Sequence, residues 1–461
     1  MPELPEVETI KTILDDIVKN KTIKSIKILR DKNILNDPGF FVSSLVGQTF
    51  LNVSRIGKFL IFHLTSSLVI ISHLRMEGKY FEGKVGDPVE KHDICIYEFT
   101  DGTTLRYNDV RKFGIIKLSK EDTYLNEPPI DNVGPEPFSI TKEELYEGLK
   151  KKSGPIKEAL LDQSLIAGLG NIYDDEVLFA TKINPKMEAN KVTLEQCQAI
   201  IDESIRILNI AIKNGGSTIK SYHPKEGVNG LMQNNLLAYG HGNEPCSRCS
   251  FPLRKIFIGG RGTVYCPRCQ KEEGKPLIIG ITGPIASGKS TISSYLKDKG
   301  YEVIDADKIV DSIYKNNDFG QDLQVFLGDI YENNQINRTK LLDKMIEDAS
   351  FKKDFETRIH NRVFSIIKDK ISKSKSDKIV LDVPLLVPSP IEELCDLIIM
   401  ADAKEEVRKN RLIERGKDPE KAFKLNKTFQ RGKTIAHSGL VIDTNGTKKE
   451  LIAKLDSLNL F

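Results

Sequence analysis

What this 461-residue sequence lacks already narrows its function. No apolar run reaches the eighteen or so residues a helix needs to cross a bilayer, so membrane-spanning helices are excluded. The opening MPELPEVETI is acidic where a secretory leader would be basic and then apolar, which predicts a cytoplasmic protein. Charge of one sign is missing too: 68 Lys and Arg against 65 Asp and Glu leave a formal +3, which rules out a broadly basic coat for nucleic acid. Seven cysteines, an odd number, do not make a disulfide framework. There is no internal repeat and no tryptophan. What remains is ordinary globular composition, 39% hydrophobic and 29% charged, and a length that suits roughly three domains.

Four of the cysteines fall into Cys246-x-x-Cys249 and Cys266-x-x-Cys269. Two such knuckles offer four thiolates to one tetrahedral zinc ion, and the cation replaces a core that so short a segment cannot build, the alternative being two unrelated redox pairs. Cys95, Cys197 and Cys395 are isolated and read as inert packing residues. Between Cys246 and Lys271 lie Arg248, Arg254, Lys255, Arg261, Arg268 and Lys271 without a single acid. Such a patch can meet a phosphate backbone although the whole chain cannot, or can be a solvated face.

The first 120 residues hold short strand-like runs, at 22–29, 59–64, 68–72 and 94–99, behind one helix at 7–19. A proline-rich stretch, 126–138, separates them from helical periodicity at 141–161, 173–180 and 194–213. The zinc segment follows, then a polar hinge at 271–276. Beyond Pro276 apolar strands alternate with helices, beginning with 277–282 and 291–299, which predicts an independent α/β domain with a parallel sheet covered on both faces.

In that last region Gly283-Pro-Ile-Ala286-Ser287-Gly288-Lys289-Ser290 fits GxxxxGK[ST] between a predicted strand and a predicted helix. Backbone amides cradle phosphates there, Lys289 neutralises them, and Ser290 can ligate Mg²⁺ carried in with ATP. Thr291 completes the turn. Asp305 and Asp307 in VIDAD stand at the carboxyl end of the next strand, where a carboxylate can take the proton of an attacking hydroxyl or can cap a helix. Arg411 and Arg415 lie one helical turn apart, suited to a lid over transferring phosphates or to a surface.

At the other end Pro2 becomes a secondary amine once Met1 is removed, and a fraction of it is a free nucleophile near neutral pH. It could attack a sugar C1′ and form an iminium, with Glu3 moving protons beside it. Alternatively, Pro2 and the acids merely start a helix.

Read together, PELPEVET at 2–9, RIGKFL at 55–60, SHLRMEGKY at 72–80, KHD at 91–93, DVRKFG at 109–114, AGLGNIYDDEVL at 167–178 and the cysteine knuckles resemble formamidopyrimidine-DNA glycosylase over residues 1 to about 271. The resemblance implies a β-sandwich catalytic domain (1–133), a helix-two-turns-helix domain (134–235) and a zinc finger (236–271) on double-stranded DNA containing oxidised purines. It implies glycosylase and lyase activity with Pro2 as nucleophile, Glu3 as acid/base partner, and Lys58 and Arg261 in the catalytic set. His73, His92, Lys157, Asn171 and Arg261 would bind DNA, while Met76, Arg111 and Phe113 would fill the gap left by a flipped base. Ser221 to Gly230 would close on that base. Ile94 departs from relatives that often have histidine after KHD. Endonuclease VIII-like enzymes, which prefer oxidised pyrimidines, share Pro2 and Glu3 but not HLRMEGKY with DVRKFG.

Residues 277–461 likewise resemble dephospho-CoA kinase, through GPIASGKST, VIDAD, RIHNRV, DVPLL, RLIER and VIDTNG. This implies transfer of the ATP γ-phosphate to the 3′-hydroxyl of dephospho-CoA, with Gly283, Ala286, Ser287, Gly288, Lys289, Ser290, Thr291, Arg411 and Arg415 on the nucleotide and Asp305 or Asp307 as base. Pro284, Pro388 and Asn361 depart from the family's usual glycine, glutamate and proline. The expectation is a monomeric bifunctional enzyme. Its rivals are another small nucleotide kinase for the second half, or a DNA-binding regulator with a nucleotide switch and no catalysis.

Overall fold

Helix α1 (Leu4–Val18) turns Leu4, Val7, Ile10, Leu14 and Ile17 to the interior, the three- and four-residue spacing of one helical face. It begins three residues earlier than the sequence suggests, because Glu3 and Glu6 close its first turn and Pro5 fits there. The structure, a computed structural model, describes residues 1–217, 231–316, 320–332, 335–425 and 429–458; the segment 221–230, expected to close on the damaged base, lies outside them. Contacts divide the chain into two units, residues 1–241 with 255–265, and residues 242–254 with 266–461.

In the first unit, strands β1 (Ile23–Ile28), β2 (Phe50–Ile56), β3 (Phe59–Leu64), β4 (Leu68–His73), β5 (Lys79–Lys84), β6 (Asp93–Phe99), β7 (Thr103–Asn108) and β8 (Ile115–Lys120) form two antiparallel four-stranded sheets. Their orders are β1-β6-β7-β5 and β2-β3-β4-β8. Helix α2 (Pro38–Leu45) intervenes between β1 and β2. Phe50 meets Phe62 and Phe99 edge to face at 5.8 and 5.9 Å in the core, each such burial stabilising by roughly 1.5–3 kcal/mol. Ile94, the departure noted above, is a buried member of this core.

Helical periodicity at 141–161 resolves into α3 (Lys142–Lys150) and α4 (Ile156–Leu161), because Gly154 and Pro155 break it. Helices α5 (Asn171–Thr181) and α6 (Leu194–Lys213) pack with them around a second core. The ribbon strands β9 (Arg254–Ile258) and β10 (Arg261–Tyr265) follow, and residues 255–265 belong to this unit.

The second unit opens its α/β part with β11 (Leu277–Thr282), buried along its whole length, and α7 (Lys289–Asp298). Then come β12 (Glu302–Asp305), α8 (Ala306–Asn316), α9 (Gly320–Leu327), the two-residue strands β13 (Tyr331–Glu332) and β14 (Gln335–Ile336), α10 (Arg338–Glu347) and α11 (Ala349–Lys373). Strands β15 (Lys378–Asp382), β16 (Leu397–Asp402) and β17 (Leu440–Asp443) complete a sheet of order β12-β15-β11-β16-β17, parallel at every pairing. Helices α12 (Glu405–Glu414), α13 (Pro419–Leu425) and α14 (Arg431–His437) separate β16 from β17, and α15 (Lys448–Ser457) follows it. Among the described residues no helix is long and apolar enough to cross a membrane.

Candidate active sites and metal centre

Pro2 is buried and stands outside α1; the helix-starting proline is Pro5. The helix-start explanation therefore covers Pro5 and leaves Pro2 unexplained. Glu3, the N-cap, sends its carboxylate to the amino end of another helix, α5, where it accepts from the backbone N–H groups of Gly170 (2.8 Å), Ile172 (2.9 Å) and Tyr173 (3.3 Å). An anion suits that position because helix-terminal amides have no partners of their own and the dipole is positive there. The approach requires glycine at 170, since a Cβ would collide with the Glu3 carboxyl. Glu6 supports the arrangement. It accepts from Glu3 N (2.9 Å), Tyr173 Oη (2.6 Å) and Ser217 N (2.7 Å), and burial, then the nearby Glu3 charge, push its carboxyl above the ordinary range.

Lys58, in the β2–β3 turn, donates from Nζ to Leu169 O at 2.6 Å. Burial lowers its pKa while Glu3, Glu6 and Asp174 pull it back up and Arg261 opposes them. His73, the last residue of β4, accepts the Arg75 N–H on Nδ1 (2.9 Å), which fixes the tautomer that carries its proton on Nε2. Burial and the charges of Arg75 and Lys58 push it down to about 3, so it can offer a phosphate a neutral N–H but no cation.

The loop after β7 holds Arg111 and Phe113 out to solvent. Asp109 anchors it by accepting from Arg111 N (2.9 Å) and Gly114 N (2.8 Å), and Asn33 Nδ2 donates to Gly114 O (2.6 Å). The Arg111 guanidinium lies 5.1 Å from the Phe113 ring centre, and both Phe113 and Met76 are exposed, as wedging residues must be. The His92 carbonyl accepts from Asp109 N at the root of the same loop.

Lys157 is placed otherwise than a DNA contact would be. It is fully buried on α4, donating to Asp175 Oδ1 (2.7 Å) and Asn171 O (3.3 Å), with Asp174 Oδ2 at 3.5 Å. Asn171 Nδ2 donates to Gly262 O (2.8 Å) and Asp175 Oδ2 accepts from Val264 N (3.0 Å), so the start of α5 carries the ribbon hairpin, beside exposed Arg261.

In the second unit the chain leaves β11 through Gly283, Ala286 and Gly288, all with positive φ, and enters α7 at Lys289. That curl turns successive amides inward above the helix terminus, which makes an anion cradle. Pro284 contributes no N–H to it. Lys289 Nζ donates to Gly283 O (2.9 Å); burial lowers its pKa while Asp382 and Asp307 oppose the shift. Ser290 and Thr291 lie in the first turn of α7. Asp305 ends β12 directly opposite Asp382 at the end of β15, and Asp307 follows in the first turn of α8. Ser293 Oγ donates to Asp382 Oδ2 (2.6 Å). Desolvation, then Asp305, push Asp307 above the ordinary carboxylate range, while desolvation also raises Asp382. A cavity of about 1040 Å³ opens beside these groups, lined also by Lys297, Lys308, Arg362 and Lys370.

Arg411 does not reach into open space. It donates to Ala286 O (3.3 Å), Thr444 O (2.5 Å) and Gly446 O (3.1 Å), tying α12 to the loop at 283–288, while Arg415 is exposed. Thr444 Oγ1 donates to Ser287 O (2.5 Å). Pro388 and His360 are exposed, and neither lines the cavity.

The Sγ atoms of Cys246, Cys249, Cys266 and Cys269 lie within 4.8 Å of one another, with Cys246 to Cys269 at 4.0 Å and Cys249 to Cys266 at 3.5 Å. These separations fit the edges of a zinc–thiolate tetrahedron with bonds of about 2.3 Å. Cys95, Cys197 and Cys395 are buried singly.

Family models match along the chain in the same order: the formamidopyrimidine-DNA glycosylase N-terminal domain at residues 1–116, its H2TH domain at 133–223, the zinc finger found in FPG and IleRS at 243–271, and dephospho-CoA kinase at 277–450. Formamidopyrimidine-DNA glycosylase of Ligilactobacillus salivarius is 46% identical over 272 residues, 59% of this chain and 99% of that protein. That of Bacillus licheniformis is 46% identical over 276 residues, 59% of this chain and all of its own length. The chain belongs to the formamidopyrimidine-DNA glycosylase family. Among solved structures, Lactococcus lactis Fpg in complex with abasic-site DNA matches with a TM-score of 0.55 and 41% identity, over 59% of this chain and 100% of that one; its complex with Fapy-dG DNA gives the same values. Beyond the glycosylase part the chain carries a dephospho-CoA kinase domain.

Within this glycosylase and kinase frame, the structure adds two positions to the candidate kinase site. Asp382 stands in the DVPLL motif, but only the register with β12 shows it facing Asp305. Thr444 stands in VIDTNG, and its bond to the phosphate loop is a tertiary contact that no local pattern announces.

Proposed function

We propose that the first half excises oxidised purines from duplex DNA and cleaves the resulting abasic site, and that the second half phosphorylates the 3′-hydroxyl of dephospho-CoA with MgATP. The observation that carries the first reading is Pro2, buried outside any helix, next to a carboxylate that three amides of α5 hold in place. Freed of Met1, the Pro2 nitrogen attacks C1′ as the glycosidic bond breaks and the base leaves with a proton. The sugar ring opens to an iminium, from which loss of a 2′ proton expels the 3′ phosphate. Glu3 moves protons at this centre. Lys58, Asn171 and Arg261 hold phosphates, and His73 donates through Nε2. His92 and Lys157 complete the DNA-binding set, Lys157 through the α5 terminus it braces. Phe113 and Met76 support the stack while Arg111 meets the orphaned cytosine.

In the kinase half Lys289 and the loop amides take the phosphates, and Arg411 closes the loop 444–446 over the nucleotide. Mg²⁺ supplies charge neutralisation between the transferring phosphates; Ser290 and Asp382 would hold it. Asp307, and alternatively Asp305, accepts the hydroxyl proton. Four cations along the cavity, Lys297, Lys308, Arg362 and Lys370, suit an acceptor that carries phosphates of its own. The protein acts in the cytoplasm as a monomer.

Borohydride trapping on a duplex carrying 8-oxoguanine opposite cytosine decides the glycosylase reading. A covalent protein–DNA adduct is expected from the processed chain, and none from a Pro2→Gly variant that retains Met1. Equal trapping by the two would refute the nucleophile, and preference for an oxidised pyrimidine would move the enzyme to the endonuclease VIII-like class.

A further inference from the structure

A parallel sheet has two unlike ends. The carboxyl ends of β11, β12, β15, β16 and β17 carry the phosphate loop, Asp305, Asp382 and the loop at 444–446. The amino ends carry none of that chemistry, and this is where the cysteine knuckles sit. Lys271 Nζ donates to Asp377 O (3.2 Å), immediately before β15. Arg254 Nη2 donates to Glu392 O (3.4 Å) in the turn that leads into β16, and lies within electrostatic reach of Cys395, two residues before that strand. The same Glu392 is held by His437 Nδ1 at 2.5 Å. Arg268, between Cys266 and Cys269, is within electrostatic reach of Tyr301, the residue before β12. Asn243 and Pro252 lie 4.0 Å from where a Cβ on Gly439, the residue before β17, would stand. The fifth strand, β11, is tethered to the knuckles by residues 272–276, which span at most about 17 Å. Each strand of the sheet is thus met or tied at its amino end.

We infer that the zinc knuckles are the floor of the kinase domain, docked through Arg254, Arg268 and Lys271, so that one metal ion holds structure for both halves of the chain. The basic, acid-free run then divides its labour: these three side chains address kinase carbonyls and a tyrosine, and Lys255 and Arg261 on the hairpin remain for DNA. The metal sets the docking geometry because Arg268 lies inside one knuckle, Lys271 ends it, and Arg254 closely follows the other. Without the ion the segment has too little core to hold those positions.

Hydrogen exchange of the full-length chain tests this without reference to turnover, so its outcome is independent of the activities proposed above. Stripping zinc with a chelator is expected to speed exchange roughly tenfold or more in peptides covering 277–280, 377–380, 395–398 and 439–441, as local opening becomes easier, and zinc re-addition is expected to reverse it. Exchange across β3 and β4, whose core includes no residue of the ribbon, should change far less. The variant Arg254→Ala with Lys271→Ala, its zinc content verified by metal analysis, should show the same loss of protection with the metal in place. Unchanged exchange in the kinase peptides after chelation, while 246–271 opens, overturns the inference. So does a zinc-loaded double variant that exchanges like the parent.

Discussion

Asp174 shows how much of the glycosylase site is decided residue by residue. It is fully buried, neither carboxylate oxygen has a hydrogen-bond partner among the described residues, and burial pushes it up to about 7, against the pull of Lys157. Lys157 is better served by Asp175 at 2.7 Å than by Asp174 at 3.5 Å. A carboxyl whose folded pKa is raised destabilises the fold as pH climbs from its ordinary value near 4 to about 7, and the cost then stays constant. Asp174→Asn is therefore expected to stabilise the first unit by roughly 1–3 kcal/mol at pH 8 and by very little near pH 4, read from denaturant unfolding at the two pH values. Equal gains at both would contradict the titration. His73 works in the opposite sense. Its pKa is depressed from 6.5 to about 3, so the unfolded chain binds the proton first and stability falls as pH drops through that window. His73→Gln should flatten the acid limb between pH 6 and 4, where the parent loses up to about 1.4 kcal/mol per unit. The four cysteines were legible in the sequence because their spacing alone defines a metal site, whereas the role proposed for Pro2 came only from reading the ordered motifs together. The burial of Lys157 and the neutrality of His73 were not, since both depend on what other elements place around them.

At the scale of elements, two helix termini organise the two chemistries. The amino end of α5 binds the protein's own carboxylate, Glu3, and that of α7 closes a cradle suited to phosphates. Gly170→Ala would push a methyl group into the Glu3 carboxyl. The expected result is a drop of at least tenfold in the borohydride-trapping rate, with about 1–3 kcal/mol of lost stability from the overpacked contact. Trapping at the parental rate would mean that the Glu3 position is not needed. In the kinase, Lys289→Ala should remove ATP binding and turnover together. Asp307→Asn should keep the nucleotide Kd and lower kcat, as for a base used only when the hydroxyl attacks. Asp382→Asn should instead raise the Mg²⁺ concentration needed for half-maximal ADP release. Element periodicity carried most of this architecture: β3, α6 and β11 fall where their patterns put them. It failed at 141–161, where Gly154 and Pro155 interrupt a pattern that reads as continuous, and it could not say which strand ends face each other, which is why Asp382 became a candidate only through register.

For the whole molecule, the unit boundary runs through the zinc ribbon. Residues 255–265 group with the glycosylase part and residues 242–254 and 266–271 with the kinase, although the sequence places a hinge only after Lys271. Composition points to that hinge because 271–276 is polar and proline-ended; it is blind to the fact that Arg254 and Lys271 bond to kinase carbonyls. A division of this kind predicts a particular pattern in calorimetry of the full-length protein. Two unfolding transitions are expected. A duplex with a tetrahydrofuran abasic analogue should raise the one assigned to the glycosylase, and MgADP the one assigned to the kinase, each by about 2.7 kcal/mol of ligand linkage at a hundred times its Kd. Each ligand is expected on only one unit, so neither should move the other unit's transition. Zinc removal should lower both, because the metal organises a segment whose residues are divided between the two units. A single transition raised by either ligand would mean that the halves unfold as one cooperative body. Chelation that lowers only the DNA-responsive transition would return the knuckles to the glycosylase alone.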